Sequence, residues 1–298
     1  MSNVFFSEIK RAFKDGSSLN KFLIINLGIF VVIKLFSLFI LLFKLGFNTK
    51  QWVLSWLAVP ASLPVLLYKP WTLFTYMFLH LDFFHILFNM LMLFWFGRIF
   101  TEYLGNKKFI STYILGGLAG ALLYILAFNL FPAFEEVIPS AQALGASASV
   151  LAILVAVATY VPNYTMHMIL LGPVRLKYIA IVLVVIDLLS IESGNPGGHI
   201  AHIGGALFGF FYIKQIQKGR NIAGWFDKII GFLAGFFKPQ SKIKVVHNKR
   251  RKSDEEFNTE KRIKQERIDN ILDKISKSGY ESLTKEEKEI LFDMSKNL

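Results

Sequence analysis

The sequence predicts an all-α polytopic membrane protein with six transmembrane helices, followed by an amphipathic helix and a small helical tail. Of the 298 residues, 54% are hydrophobic and only 18% are charged, which is less charge than a soluble domain of this size carries. Several apolar runs approach or exceed the roughly 20 residues that cross a bilayer core. The chain contains no cysteine, which excludes disulfides and thiolate metal sites.

Composition divides the chain into four parts. A mixed-charge cytoplasmic segment (1–20) precedes a six-helix core (21–217), an interfacial helix with a basic linker (218–264) and a small cytoplasmic helical hairpin (265–298). The first apolar run follows no signal-peptide cleavage pattern, so we expect it to be a retained span.

Six apolar runs justify the predicted spans. In chain order they cover residues 21–45, 71–96, 109–130, 147–161, 178–189 and 199–216. The fourth run covers only about 22 Å at 1.5 Å per residue, so we expect this helix to begin below the membrane surface, in a water-accessible cavity. In the third run, Gly116 and Gly120 predict a face for close helix contact. Residues 46–70 carry tryptophans and prolines and predict a loop, either interfacial or wholly outside the membrane.

Loop charges predict the orientation of the spans. Lysine and arginine residues lie at the start of the first span and follow the second, fourth and sixth, whereas Glu135, Glu136 and Glu192 lie on the opposite side. The positive-inside rule therefore places both termini in the cytoplasm. The expected location is a cell membrane of the bacterial inner-membrane type. The net charge of +12 fits anionic lipid head groups better than nucleic acid.

The tail contains three patterns. Residues 222–237 carry a wide apolar and aromatic face, which is typical of an amphipathic helix at the membrane surface. Residues 238–264 are basic and polar. Residues 265–297 predict two short helices, the second of which opens with a capping box at Thr284 and Glu287. The sequence does not identify a partner for this tail.

Two short segments predict the chemistry. Ser147 opens the fourth apolar run, where unpaired backbone N–H groups and the helix dipole favour a nearby oxyanion, and Gly145 lets a substrate backbone come close. His202 lies in the sixth run, where Gly205 and Gly209 at helical spacing predict close packing against the fourth run. A serine and a histidine on two membrane helices suggest a nucleophile and a general base.

Alternatives to this pair remain open. Ser147 can simply be a helix N-cap, and His202 can be a structural histidine bonded to a neighbouring helix. Ser149 and His199 are rival candidates for the nucleophile and the base. Because Ser149 lies about 200° round the helix from Ser147, both serines cannot face His202.

His85 and Asn89 are four residues apart and share one face of the second span. Polar groups are costly in hydrocarbon unless they serve a polar cavity, and both side chains can donate hydrogen bonds to an oxyanion. His80 is a further donor or a structural residue, and bonds between helices are the alternative for all three. Because the chain has neither cysteine nor an HExxH motif, we expect no metal site.

These residues resemble the rhomboid family of intramembrane serine proteases. The resemblance covers about residues 70–217. The matching motifs, in chain order, are His80-x4-His85-x3-Asn89, Gly97 through Gly105 with Glu102, Gly145-x-Ser147, and Ala201-His202-x-Gly204-Gly205 with Gly209.

The resemblance implies a six-helix bundle in which Ser147 and His202 form a catalytic dyad without an aspartate. It also implies an oxyanion hole built from His85, Asn89 and the backbone of Ser147. The implied activity is that of a serine endopeptidase, without a cofactor, that cleaves transmembrane segments near the outer membrane face. Inactive relatives of rhomboids lack the serine or the histidine, and this chain keeps both.

Two other classes of protein remain as alternatives. One is a proteolytically silent rhomboid-like protein that binds membrane helices. The other is a transporter or channel, although the polar groups cluster at one depth and the sequence contains no paired half-helices or inverted repeat. The expected partners are transmembrane protein substrates and the lipid bilayer, and no nucleic acid.

Overall fold

The computed structural model describes residues 17–168, 172–192, 194–237 and 254–295. Most of these residues are helical, which confirms the helical class of the fold. The chain forms two compact units, Met1–Lys238 and Pro239–Leu298. Most of the predicted N-terminal segment and much of the basic linker lie outside the described residues.

Helices dominate the first unit. In chain order they are α1 (Ser18–Leu42), α2 (Thr49–Leu57), α3 (Leu63–Tyr68), α4 (Thr72–Thr75), α5 (Phe83–Leu130), α6 (Ser147–Tyr160), α7 (Leu176–Leu189), α8 (Pro196–Gln217) and α9 (Gly224–Phe237). Four short strands form antiparallel pairs, which are β1 (Val59–Pro60) with β2 (Gln142–Ala143) and β3 (Thr165–Met168) with β4 (Gly172–Arg175).

Two helices in the described part of the chain, α1 and α5, are long and apolar enough to cross a membrane by length and composition. α5 has 48 residues, about twice the length of a bilayer span. It bends at Gly105, where φ is 81° and ψ is 166°. Side chains disfavour this φ, so glycine permits the bend. The predicted gap between the second and third spans, residues 97–108, is therefore helical apart from this one residue.

The second predicted span begins too early. Within residues 71–82, α4 and a 3-10 turn lead to an extended stretch, and α5 begins only at Phe83. Tyr76 and Leu79 are nevertheless buried, and the backbone N–H of Gly145 donates to the carbonyl of Tyr76 at 2.9 Å. Hydropathy does not separate a buried irregular segment from a helix, because both are apolar.

α6 and α8 pack together through small residues at the centre of the first unit. A Cβ added to Gly205 would lie 2.1 Å from the carbonyl oxygen of Ala148, and one added to Gly209 would lie 2.3 Å from that of Ala152. Contact this close between two helix backbones requires glycine. The predicted packing of the sixth run on the fourth is therefore confirmed.

α5 approaches the other side of α6 in the same manner. A Cβ added to Gly116 would lie 2.3 Å from the Cβ of Ala152, and one added to Gly120 would lie 2.7 Å from the Cβ of Ala148. The glycine pair predicted to form a close helix contact does so. α6 is thus held tightly between α5 and α8, which fixes the position of its first residue.

The loop predicted for residues 46–70 is wrong in part, because this segment contains α2 and α3. The side-chain oxygen of Asn48 accepts the backbone N–H of Gln51 at 3.0 Å and caps the start of α2. β1 then pairs with β2, with Val59 opposite Ala143. This pairing fixes the segment that leads into α6.

The predicted amphipathic helix is present as α9. The Asp227 carboxylate accepts hydrogen bonds from the hydroxyl of Ser111 on α5 and from the side-chain amide of Asn221, the latter at 2.9 Å. Phe226 is buried, whereas Trp225 is exposed. α9 therefore contacts the core and also presents apolar surface, within the first unit.

The second unit contains α10 (Asp254–Ser278) and α11 (Lys285–Ser295). α10 begins earlier than predicted, so the assignment of residues 254–264 to the linker is wrong. The predicted capping box is confirmed. The backbone N–H of Thr284 donates to the carboxylate of Glu287 at 2.7 Å, and the backbone N–H of Glu287 donates to the Thr284 hydroxyl at 3.3 Å.

Candidate active site

Ser147 is the first residue of α6, and Ala146 occupies the N-cap position before it. The alternative that Ser147 is an N-cap is therefore wrong. Gly145 has a φ of 117°, in the region that favours glycine. The chain turns there and enters α6 with the Ser147 hydroxyl directed at α8, where its oxygen lies 2.5 Å from Nε2 of His202.

The rival serine faces a different helix. The side chain of Ser149 is buried, and a Cβ added to Gly117 on α5 would lie 2.5 Å from its hydroxyl oxygen. Within the described ranges this oxygen has no hydrogen-bond partner. Of the two serines, Ser147 is the one that contacts His202.

A carboxylate lies on the far side of the imidazole. Oδ1 of Asp187, near the C-terminal end of α7, lies 2.7 Å from Nδ1 of His202 and 2.8 Å from Nδ1 of His199. Ser147, His202 and Asp187 therefore form a continuous hydrogen-bonded row. The resemblance implies a serine–histidine dyad without an aspartate, whereas in the structure the one carboxylate of α7 also contacts the imidazole of His202. His199, the rival base, contacts the carboxylate.

His85 lies close to the Ser147 hydroxyl. A Cβ added to Gly145 would lie 2.8 Å from Nε2 of His85 and 3.7 Å from Oγ of Ser147, so the two side chains face the same small space. Asn89 is buried one turn further along α5. Its side-chain amide donates to the carbonyl of His85 at 2.8 Å, and an amide has a second N–H to offer.

His80 lies in the extended stretch before α5, which corrects its predicted place inside the second span. It is fully buried. Its Nε2 accepts the backbone N–H of Ala146 at 3.3 Å, and its ring packs edge-on against His85 with centroids 5.1 Å apart. His80 therefore supports both the turn before Ser147 and the ring of His85.

A cavity of about 240 Å³ opens onto the side chain of His85. Its lining includes His85 on α5, Leu144 before α6, and Asn195 and Gly198 at the start of α8. Asn195 is exposed, so the cavity connects the surface with the imidazole of His85.

Two known protein families match parts of this sequence. A sequence model of the rhomboid domain matches residues 68–218, about half of the chain, and that range contains every residue of the site. The chain belongs to the rhomboid family. Rhomboids are membrane-embedded, so the predicted location in a membrane is confirmed. A second match covers residues 252–297 and is described as a family of unknown function, DUF6576.

Three relatives of this rhomboid differ in source. RHOMBOID-like protein 12, mitochondrial, from Arabidopsis thaliana is 30% identical over 158 residues, which are 50% of this chain and 47% of the relative. Presenilin-associated rhomboid-like protein A, mitochondrial, from Danio rerio is 31% identical over 139 residues, 46% of this chain and 35% of the relative. Rhomboid protease GlpG from Salmonella newport is 38% identical over 68 residues, 23% of this chain and 24% of the relative. The chain spans about half or less of the length of these relatives.

Asp187 is the residue of this rhomboid site that sequence reasoning missed. The available signal was a lone carboxylate in an apolar run, which requires a polar partner inside a membrane bundle. Ligand atoms of Asp187, His199 and His202 lie within 4.8 Å of one another, so these three groups could also hold a metal ion. A metal bound there would replace the hydrogen bonds between them, because imidazoles ligate through a free ring nitrogen.

Proposed function

We propose that this rhomboid is an intramembrane serine endopeptidase that cleaves transmembrane segments of membrane proteins near the outer membrane face. Ser147 is the nucleophile and His202 is the general base. The 2.5 Å contact between Ser147 Oγ and His202 Nε2 carries the proposal, because an imidazole that accepts a serine proton is what activates a hydroxyl for acyl transfer. Family membership and the relative named Rhomboid protease GlpG add support.

His202 carries one proton in each half of the reaction, first from Ser147 to the leaving amine and then from water back to Ser147. Nε2 of His202 takes the Ser147 proton as Oγ bonds to the carbonyl carbon of the scissile peptide. The proton then passes to the leaving amine as the C–N bond breaks, which leaves an acyl-enzyme. Water attacks the acyl carbon and gives a proton to His202, and Ser147 regains it when the acid product leaves. The balance is hydrolysis of one peptide bond by one water.

His85, Asn89 and the backbone N–H of Ser147 form the proposed oxyanion hole. In support, His85 and the Ser147 hydroxyl share the space beside Gly145, and Asn89 has one amide N–H beyond the bond to its own helix. A preorganised donor of this kind is worth about 2.7–4 kcal/mol of barrier. His80 and Gly145 act in supporting roles, through the turn that orients the serine.

We propose that residues 21–217 cross the membrane six times, as α1, the two arms of α5, α6, α7 and α8. The bend at Gly105 then serves as the turn between two spans. Arg98 and Lys107 lie near that bend and Lys214 near the end of α8, so the positive-inside rule directs these ends and both termini to the cytoplasm. The active site faces the outside of a bacterial inner membrane, with a mitochondrial membrane as the alternative that two relatives' names raise.

Cleavage of a transmembrane substrate by the detergent-solubilised protein tests this function. Ser147→Ala should lose nearly all cleavage and all labelling by a serine-reactive fluorophosphonate. The matched control Ser149→Ala, two residues further along α6, should retain both. The opposite result would show that the nucleophile is wrongly assigned. A wild-type protein that neither cleaves nor labels would favour a silent rhomboid that binds membrane helices.

A further inference from the structure

We propose that Asp187 is a positioning residue for the active site, one that fixes the tautomer and the orientation of His202. The inference rests on the proposed protease function. It goes beyond a serine–histidine dyad, because it gives a third side chain, on a third helix, a part in setting the reactivity of Ser147. His199 holds the same carboxylate in place.

The carboxylate of Asp187 is placed for this task. Its Oδ1 lies 2.7 Å from Nδ1 of His202, while Nε2 of the same ring lies 2.5 Å from Oγ of Ser147. Both ring nitrogens are thus engaged, one on each side. Asp187 is buried, so water does not compete strongly for the bond, and electrostatic interactions strengthen in such a site.

The hydrogen-bond pattern selects one tautomer. An ionised carboxylate only accepts hydrogen bonds, so the hydrogen between Asp187 and His202 belongs to Nδ1 of the imidazole. Nε2 of a neutral ring then carries a lone pair, directed at the hydroxyl of Ser147. Without the carboxylate the ring can carry its hydrogen on Nε2 instead, and that tautomer cannot take the serine proton.

His199 fixes the carboxylate itself. It precedes His202 by about one helical turn on α8, so both rings lie on the same side of that helix. Its Nδ1 lies 2.8 Å from the same Oδ1. Two imidazole donors from one helix therefore hold a single oxygen from another, which reduces the rotational freedom of the Asp187 side chain and partly compensates its burial.

The position of Asp187 depends on how α7 is docked. The buried residues of α7 are Leu176 and Ala180 towards its N-terminal end and Asp187 towards its C-terminal end. Near that C-terminal end, the two imidazole contacts therefore tie α7 to α8. A displacement of this end of α7 would withdraw the carboxylate from His202.

Kinetics of the full-length, detergent-solubilised protein test the role of the carboxylate. Asp187→Asn keeps the size of the side chain but adds an N–H group that can bond to Nδ1 and stabilise the wrong tautomer. We expect kcat for a transmembrane substrate to fall roughly 10²- to 10⁴-fold, with KM within about threefold of wild type. Asp187→Glu keeps a carboxylate and should recover part of the loss. His199→Ala, the matched control on the other donor, should lower kcat by less than about tenfold.

Nitrogen-15 NMR of histidine-labelled protein reads the tautomer directly. We expect the wild-type His202 ring to carry its hydrogen on Nδ1 and the Asp187→Asn ring to shift towards Nε2. An Asp187→Asn variant with wild-type kcat, or with a lower melting temperature as its sole change, would overturn the proposal and leave Asp187 as a link between helices. So would a wild-type ring protonated on Nε2, a measurement that needs no variant to fold.

Two controls separate other outcomes. The NMR result does not require catalysis, so a wild-type protein without proteolysis overturns the proposed function while the tautomer remains readable. Treatment with a chelator should leave wild-type kcat unchanged. A rise in kcat on chelation would show that Asp187, His199 and His202 bind a metal ion, and would overturn their assignment as a hydrogen-bonded row.

Discussion

Replacement of Gly205 by alanine tests whether the packing of α8 on α6 sets the distance between the proposed nucleophile and base. The new Cβ would lie 2.1 Å from the carbonyl oxygen of Ala148, whereas a close carbon–oxygen contact is about 3.3 Å. The two helices must therefore separate by about 1.2 Å. The obstacle is backbone, so no side-chain rotation relieves it.

This separation acts directly on the site. Ser147 adjoins Ala148 on α6, and His202 lies about one turn before Gly205 on α8, so the 2.5 Å contact between Oγ and Nε2 lengthens. A misplacement of about 1 Å can lower a rate by about 10². Overpacking of this kind costs about 1–3 kcal/mol of stability. We expect Gly205→Ala to lower kcat about 100-fold and to lower the melting temperature.

The assay compares cleavage kinetics and fluorophosphonate labelling rates in detergent. Labelling reports on the activated serine without the need to bind a transmembrane substrate. Gly28→Ala on α1 is the matched control, because no described atom of a neighbouring element lies within 4 Å of a Cβ added there. Wild-type cleavage, labelling and melting temperature in Gly205→Ala would refute the reasoning that this contact sets the catalytic distance.

Asn89→Ala should lower kcat by about 10²- to 10³-fold with little change in KM; normal turnover with a raised KM would reassign Asn89 to substrate binding. Removal of residues 238–298 should leave cleavage of a simple substrate intact. Truncation after Gln217 should leave cleavage largely intact as well but should lower the melting temperature, because it removes the contact of α9 with α5. Equal melting temperatures for the two truncated proteins would show that α9 adds nothing to the stability of the fold. The backbone N–H of Thr284 lowers the pKa of the Glu287 carboxyl. The Glu287 carboxylate therefore stabilises the fold fully above the pKa of a free glutamate, and this stabilisation is lost as pH falls through the lowered pKa. Circular dichroism of the second unit should show that helix is lost as the pH falls, and Glu287→Gln should reduce that pH dependence. An acid transition that is the same in Glu287→Gln and in wild type would show that the Glu287 carboxylate is not its cause.

Close packing was the part of the site that the sequence predicted best. Glycines at helical spacing in one apolar run and Ala148 and Ala152 in another have few uses other than helix contact. Gly205 and Gly209 therefore indicated the correct partner helix. Once those two helices touch, the relative positions of Ser147 and the histidine one turn before Gly205 are restricted by geometry alone.

The segment around His80 and the role of Asp187 escaped sequence reasoning for different reasons. Tyr76, Met77 and Leu79, which precede α5, are apolar and buried, and periodicity does not separate such a stretch from a helix. Asp187 meets His202 because the C-terminal end of α7 lies against α8, and no residue spacing encodes that packing. The acidic residues from Asp254 onward favour a helix N-terminus and could have predicted the early start of α10. The basic composition of the residues before them favoured a linker instead.

The central claim is that Ser147 and His202 act as one catalytic unit. The most direct test measures kcat for Ser147→Ala, His202→Ala and the double variant on one transmembrane substrate, with folding of each checked by its melting temperature. Residues that act together give strongly non-additive losses. We predict that each single variant loses nearly all cleavage and that kcat of the double variant is no lower than kcat of the less active single variant. Losses that multiply in the double variant, or a folded single variant that keeps substantial cleavage, would contradict the claim.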